Sequence, residues 1–468
     1  MRFFDIKYHP FILIFFIVFI SRIPFLSAGH GAEEDSWGIV LAGAHTWLTG
    51  IYEPSRFPGH PVHEWIYSAF HMRAPLFYNL FSAFFSAVAV VFFALILKEL
   101  KFRHFMLASL ALAFTPVFYI SSTYTIDFVW TIAFILISMY TLLKKQFLVC
   151  GIFLGLAIGC RITSGAMLLP FMIIFWQKNN LQNNIRNCLK IGLPLAMVVI
   201  ISYLPLFKQF GLSFFMYYDQ FPYPPLTKVF YKMIPGVFGF IGVLAISICM
   251  LYILMNRKKI MQGELFESKL PKGILVSSFV VVVLFIISYF RLPQKSGYMI
   301  TVIPFMIILF GYYLNGKLFK LLCYALILSS FFCSINLTDK LRGSSYSFLA
   351  VEFKVSGQEL FFDPLSGPVF SDYSKRKQKM NYVKEVATVA EQIDERTVVV
   401  AGWWYNEIMV GLFPDNTIRN VVFEPYINEQ KIKKYISEGF VVKYLPEQNI
   451  YNDQMFKMSF TDNYASEF

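Results

Sequence analysis

Charge is what this chain has least of. Asp, Glu, Lys and Arg make up only 15% of its 468 residues, against 57% hydrophobic and 19% aromatic. A soluble globular domain carries about 25% charge, so that class is excluded. Cysteine is sparse as well. Cys150, Cys160, Cys188, Cys249, Cys323 and Cys333 all lie in or beside apolar stretches, and none falls after residue 335. No disulfide framework or thiolate zinc site is indicated in the tail. Internal repeats and low-complexity segments are missing too. A lone Gly402 followed by Trp403-Trp404 lacks the spaced glycines that bring backbone close to a pyrophosphate. The net charge of +12 does not mark a nucleic-acid surface. Its basic excess lies before residue 336, and the tail after it is slightly acidic.

What the chain has is long apolar runs. A spanning helix needs roughly 20 mostly apolar residues, and about eleven candidates are found. They lie near 9–27, 75–97, 105–122, 125–143, 146–160, 162–177, 189–207, 234–255, 273–290, 298–315 and 318–335. The segments around 146–177 are short and read equally as one hairpin or a re-entrant pair. Lys and Arg set the orientation. Lys98, Lys101, Arg103, Lys144, Lys145 and the run from Arg257 to Lys259 fall in alternate loops, which puts the N-terminus inside. Residues 28–74, the turns near Asp127 and Arg161, and the tail are then outside. Leu26-Ser27-Ala28-Gly29 has the look of a cleavage site, but Arg22 interrupts the approach, so the first run reads as a retained anchor.

The expected organisation is a membrane body over 1–335 with a first external loop at 28–74, a turn-rich linker over 336–380 and a soluble domain over 381–468. In that domain 381–394 reads as a helix with Val383, Val386, Val389, Ala390 and Ile393 on one face. Strands are expected at 397–402, 421–423 and 440–444. A helix over 429–438 with Asn428 as its N-cap completes a small α/β unit.

Ionisable groups concentrate just beyond the first apolar run, at Glu33, Glu34 and Asp35. One reading is a solvated helix start. The other is a general base that takes a proton from an attacking hydroxyl. Adjacent acids at a partly dry boundary repel and are desolvated, and both effects raise a carboxyl pKa. Five of the seven histidines, His30, His45, His60, His63 and His71, share this loop. His60-x-x-His63-Glu64 suggests either a zinc or manganese site or polar contacts to a sugar. Basic residues outside are few. Arg161 sits between two short apolar runs, where an unpaired charge is expensive. It either snorkels to the interface or grips a phosphate, and Arg291 and Lys295 flank a short turn suited to the same task.

Asp35, Thr49-Gly50, Arg56-Phe57-Pro58-Gly59 and Pro61-Val62-His63-Glu64 together resemble the first external loop of the GT-C glycosyltransferases. The likeness is greatest to polyprenyl-phosphate-sugar enzymes such as the aminoarabinose transferases and protein mannosyltransferases. Asp127 at the start of a span, Gly155 to Thr163, and Arg291 to Tyr298 followed by Pro304 extend it. The Lys that follows Pro-x-x-Glu in some members is Trp65 here.

The resemblance implies an all-α polytopic GT-C-like body with an external α/β tail. It further implies transfer of a sugar, with inversion, from a polyprenyl-phosphate donor to a hydroxyl of a glycan, lipid or protein acceptor. The setting is the bacterial cytoplasmic (inner) membrane, with membrane lipids as neighbours, no nucleic-acid partner, and the site and tail on the extracytoplasmic side. Asp35 would be the base with Glu34 as alternate, and Asp127 would position base or acceptor. Arg161, Arg291 and Lys295 would bind the donor phosphate, and Arg56, His60, His63 and Glu64 the substrate. No essential cofactor is expected for a monophosphate donor, whereas a pyrophosphate donor would call for a divalent metal. The rival classes are a polar-lipid or sugar transporter or flippase, and a non-catalytic scaffold in envelope assembly. Transporters carry mid-membrane charges and related halves, which this chain does not show.

Overall fold

The computed structural model describes residues 9–70, 74–213, 223–258, 270–337, 347–355, 358–412, 418, 420–425, 427–445 and 466–467. The chain is mostly helical, as apolar composition requires, because only helices or closed barrels satisfy the backbone in lipid. The membrane body runs α1 (His9–Arg22), α2 (Glu34–Thr49), α3 (Pro61–Ser68), α4 (Pro75–Glu99), α5 (Phe105–Phe114), α6 (Pro116–Ser121), α7 (Phe128–Leu143) and α8 (Phe147–Cys160). It continues through α9 (Leu168–Phe175), α10 (Leu181–Phe210), α11 (Leu226–Met233), α12 (Pro235–Met255), α13 (Lys272–Arg291), α14 (Val302–Tyr313) and α15 (Gly316–Ser329).

Among the described residues α4, α10, α12 and α13 are long and apolar enough to cross a membrane. The other expected runs form shorter or broken helices. The run 105–122 divides at Thr115, because Pro116 cannot donate into a continuing helix and starts α6 instead. The runs at 162–177 and 298–315 each open with a 3-10 turn, at Ile162–Met167 and Ser296–Met299. These tight turns occur beside Arg161 and Lys295, so the departure from regular helix lies where the charges are.

Helix packing fixes the position of those turns. Gly155 and Gly159 form a small-residue stripe along α8, which lets α10 and α3 approach closely. A Cβ added at Gly155 would come within 2.8 Å of Val198, and one at Gly159 would run into Val62. The close seat of α3 against the end of α8 brings the His60 ring beside the Cys160 carbonyl, with Nδ1 2.5 Å from that oxygen. Buried α7 lies at the centre, with Phe128, Trp130, Ile132 and Ile135 in the main core.

The tail departs from the expected plan at its start. β1 (Ser334–Leu337), which straddles the expected boundary at 335, joins β2 (Val351–Val355) and β3 (Gln358–Asp363) in an antiparallel sheet in the order β1-β3-β2. The helix expected over 381–394 begins earlier, as α16 (Pro368–Glu391), with Pro at its first turn, a favoured place for it. Next come β4 (Thr397–Val400), α17 (Tyr405–Leu412), β5 (Val421–Glu424), α18 (Glu429–Ser437) and β6 (Val441–Tyr444). Asn428 caps α18, accepting from the Lys431 N–H at 2.8 Å. With β7 (Ser466–Glu467) the second sheet is parallel in the order β5-β4-β6-β7. β4 is buried on both faces, which explains its unbroken Val run.

Arg376 of α16 anchors the tail to the membrane body. Its buried guanidinium donates to Thr123 O at 2.9 Å, Phe25 O at 3.2 Å and Thr123 Oγ1 at 3.1 Å. Asp372 accepts from its Nε at 2.8 Å. Lys379 donates to Ala32 O at 3.2 Å and pairs with Glu407. The tail therefore sits on the face of the body that carries the first loop.

Candidate active site

The two polar loops meet at the N-termini of α2 and α7. Helix α2 opens with Glu34 and Asp35 in its first turn, where carboxylates complement the unpaired amides and the helix dipole. It ends at Gly50, whose φ of 69° is the left-handed conformation that glycine adopts at low cost. The chain then returns through Arg56 and His60 to α3.

Six side chains form one line of alternating charge. Lys295 contacts Glu33 Oε2 at 2.9 Å and pairs with Asp35. Arg56 Nε lies 3.1 Å from Asp35 Oδ2, and its Nη2 donates to Asp127 Oδ1 at 2.6 Å. Asp127 Oδ2 accepts from Arg161 Nη1 at 2.9 Å. Arg161 lies over the rings of Phe128 at 4.7 Å and Tyr298 at 4.6 Å, which fixes its plane. Each of these charges faces an opposite one, and Asp127, the fully buried member, is held by two cations, the arrangement that makes its burial tolerable.

This setting reverses one expectation from the sequence. Burial alone would raise the Asp35 carboxyl, but Arg56 and Lys295 outweigh it and hold the group down at about 2. Glu34 behaves as expected for adjacent acids. Burial, then Glu407 of the tail, then Asp35 push its carboxyl well above the ordinary value. Asp35 is thus the ionised acid of the pair, and Glu34 is the one whose protonated form is favoured. Burial is opposed at Lys295 by Asp35 and Glu33, which keep the ammonium charged.

A cavity of about 430 Å³ opens at the Arg161 end of the line. Arg161, Arg291, Thr163 and Ser164 give it polar groups, and Phe285, Tyr289, Leu292 and Ile300 give it apolar walls. The structure brings Arg161 and Arg291 together here. Lys295 is not in the cavity wall and sits instead on Asp35.

Asp127 is fully buried and holds Arg56 and Arg161, so it orients cations and does not itself face open space. Glu64, His60 and His63, expected to bind substrate, are buried and turn inward. Glu64 accepts from the Ser55 N–H at 3.0 Å and the His60 N–H at 2.9 Å, with Tyr52 and Ser55 hydroxyls filling the rest. It folds the loop. His63 is packed edge-on against Tyr67 and Trp130, and burial pushes its imidazole down to about 3. His60 is held between Cys160 O and Asp127, where burial and then Arg56 lower its imidazole. His60 precedes α3, so it and His63 do not share a helical face. Among the described residues no three His, Cys, Asp or Glu side chains are grouped to hold a metal ion.

Lys379 and Glu407 belong to the site's surroundings and were not singled out by sequence. Only the tertiary fold brings the tail pair near Glu34, so no local pattern marks them.

The fold is similar to two crystal structures of ArnT from Cupriavidus metallidurans, one in the apo state and one bound to undecaprenyl phosphate. The TM-score is 0.54 for each, at 10% and 9% sequence identity, over 95% of this chain and 94% of that chain. No protein-family model matches the sequence, and no curated protein matches it. At this identity the likeness is one of overall fold, and it agrees with the polytopic helical body that the loop resemblance implied.

Proposed function

We propose that the chain is an integral-membrane glycosyltransferase of the GT-C type, moving a sugar from a polyprenyl-phosphate donor to an acceptor hydroxyl. One observation carries the reading. An ionised carboxylate, Asp35, is tied through Arg56 and Asp127 to Arg161, which faces an apolar-walled cavity. A carboxylate to receive a proton and a cation to receive a leaving phosphate are the two groups such a transfer needs. The undecaprenyl phosphate in one ArnT structure supports a polyprenyl-phosphate lipid as the donor's carrier.

In the proposed reaction the acceptor oxygen forms a bond to the anomeric carbon from the face opposite the phosphate. The bond from that carbon to the phosphate oxygen breaks, and its electron pair leaves on the polyprenyl phosphate. The acceptor proton passes to Asp35, and the anomeric configuration inverts. Arg161 and Arg291 offset the charge on the leaving phosphate. The negative charge of a bound phosphate also offsets the field of the nearby cations at Asp35, which makes it a stronger base. Glu34, favoured in its protonated form, is the weaker candidate for that role. The site and tail face the extracytoplasmic side of a bacterial inner membrane.

The test is binding of undecaprenyl phosphate to purified protein, followed as a rise in melting temperature. The reading expects a concentration-dependent rise that Arg161→Ala abolishes. No rise in the wild-type protein would sink the donor assignment.

A further inference from the structure

A second cavity, of about 260 Å³, lies on the other side of the Lys295–Gly297 turn. It differs from the first in chemistry. Glu33, Lys232, Asp372 and Lys375 give it charges of both signs, and Tyr124 and Ser296 add hydroxyls. Lys232 donates to Gln294 O, leaving two of its three protons for other acceptors. Balanced charge does not select an anion, and Val117, Ile120, Pro235 and Phe240 add short apolar walls between the polar groups. Acids, ammonium groups, hydroxyls and an aromatic edge in a space that suits one sugar ring are the equipment of a carbohydrate subsite.

Its position is as telling as its lining. Glu33 in its wall shares Lys295 with Asp35, so the cavity is one ion pair from the proposed base. Gly297 lines both cavities, and a Cβ there would strike the Phe128 ring, so glycine keeps the partition thin. The roof comes from the tail, where Ser371, Asp372 and Lys375 lie in the first turns of α16. Arg376, between the roof and the membrane body, holds that helix end in place.

We infer that this chamber is the acceptor subsite, holding one sugar ring of a glycan acceptor, and that the tail supplies part of its wall. The inference rests on the glycosyltransferase reading. It gives the tail a binding role: an acceptor must pass under α16 to reach Asp35, while the donor lipid enters through the apolar cavity.

The test uses the full-length chain carrying Ser371→Trp, which fills the chamber, or Lys375→Ala, which removes one ammonium. Each variant is returned to a strain lacking the gene, and purified protein is tested for stabilisation by undecaprenyl phosphate. The expected result is a tenfold or greater loss of the glycan modification for Ser371→Trp and a smaller loss for Lys375→Ala, with the wild-type melting shift kept by both. The kept shift shows that each variant is folded and donor-competent. Wild-type modification by Ser371→Trp would overturn the inference, as would loss of the shift in both variants, which would give the chamber to the donor. Failure of the parent reading looks different: deleting the gene would change no glycan, and wild-type protein would show no shift.

Discussion

Asp35 and Asp127, from separate loops, are joined by one guanidinium: Arg56 sets Nε 3.1 Å from the first and Nη2 2.6 Å from the second. A planar fork suits this double contact, and an ammonium has no matching geometry. Arg56→Lys should therefore lose one of the two contacts, leaving Asp35 to Lys295 alone or Asp127 to Arg161. Loss of one hydrogen bond to a charged group costs about 1.5–3 kcal/mol. The variant should melt well below wild type in the same detergent, and a double-mutant cycle with Asp127→Asn should show strong coupling. Additive effects would contradict the bridge.

The acid assignments differ in a way that kinetics can read. Asp35→Asn keeps shape but cannot take a proton, so turnover should fall by about 10²–10⁴ with undecaprenyl phosphate binding retained. Glu34→Gln should be milder, acting through its neighbour's electrostatics. The opposite order would move the base to Glu34.

Much of this was legible in the sequence, for physical reasons that also mark where it stopped. Asp35, Asp127, Arg161 and Lys295 stood out because charge beside lipid is costly and needs a partner. The Thr49-Gly50 helix end and the Val-rich β4 were local signals. The inward turn of His60, His63 and Glu64 was not legible, because it depends on α8 lying against α3 through Gly159. The early start of α16 was hidden by its polar composition. Its fixed points are Val369 and the buried Arg376, and the carbonyls that satisfy Arg376 lie in another domain.

Acid should expose the Asp35 interaction. The folded-state value near 2 lies below the ordinary 3.8, so this group stabilises the fold above about pH 4, and the contribution is lost as pH falls through 2. The shift corresponds to about 2 kcal/mol. The difference in unfolding free energy between wild type and Asp35→Asn should shrink over that window. A difference that stays constant from pH 6 to pH 2.5 would rule out the ion pairs as its source.

Close packing of α8 on α10 can be tested away from the chemistry. A Cβ at Gly155 would lie 2.8 Å from Val198, so Gly155→Leu should overpack the contact and destabilise by about 1–3 kcal/mol. An unchanged melting temperature would contradict the approach of these helices.

Docking of the tail depends on Arg376. Hydrogen bonds to a charged group contribute about 1.5–3 kcal/mol, and Arg376→Ala removes several at once. Limited proteolysis should cut the variant between the membrane body and α16 faster than wild type. Equal cleavage rates would show that other contacts hold the tail.

The central claim, sugar transfer from a polyprenyl-phosphate donor with Asp35 as base, is tested most directly by mass spectrometry of lipid-linked sugars and envelope glycans. The cells compared carry the wild-type gene, no gene, or Asp35→Asn. The account predicts that without the gene one polyprenyl-phosphate sugar accumulates and one glycan loses the matching sugar, and that Asp35→Asn behaves like the deletion. Unchanged lipid and glycan pools in the deletion, or full restoration by Asp35→Asn, would contradict it.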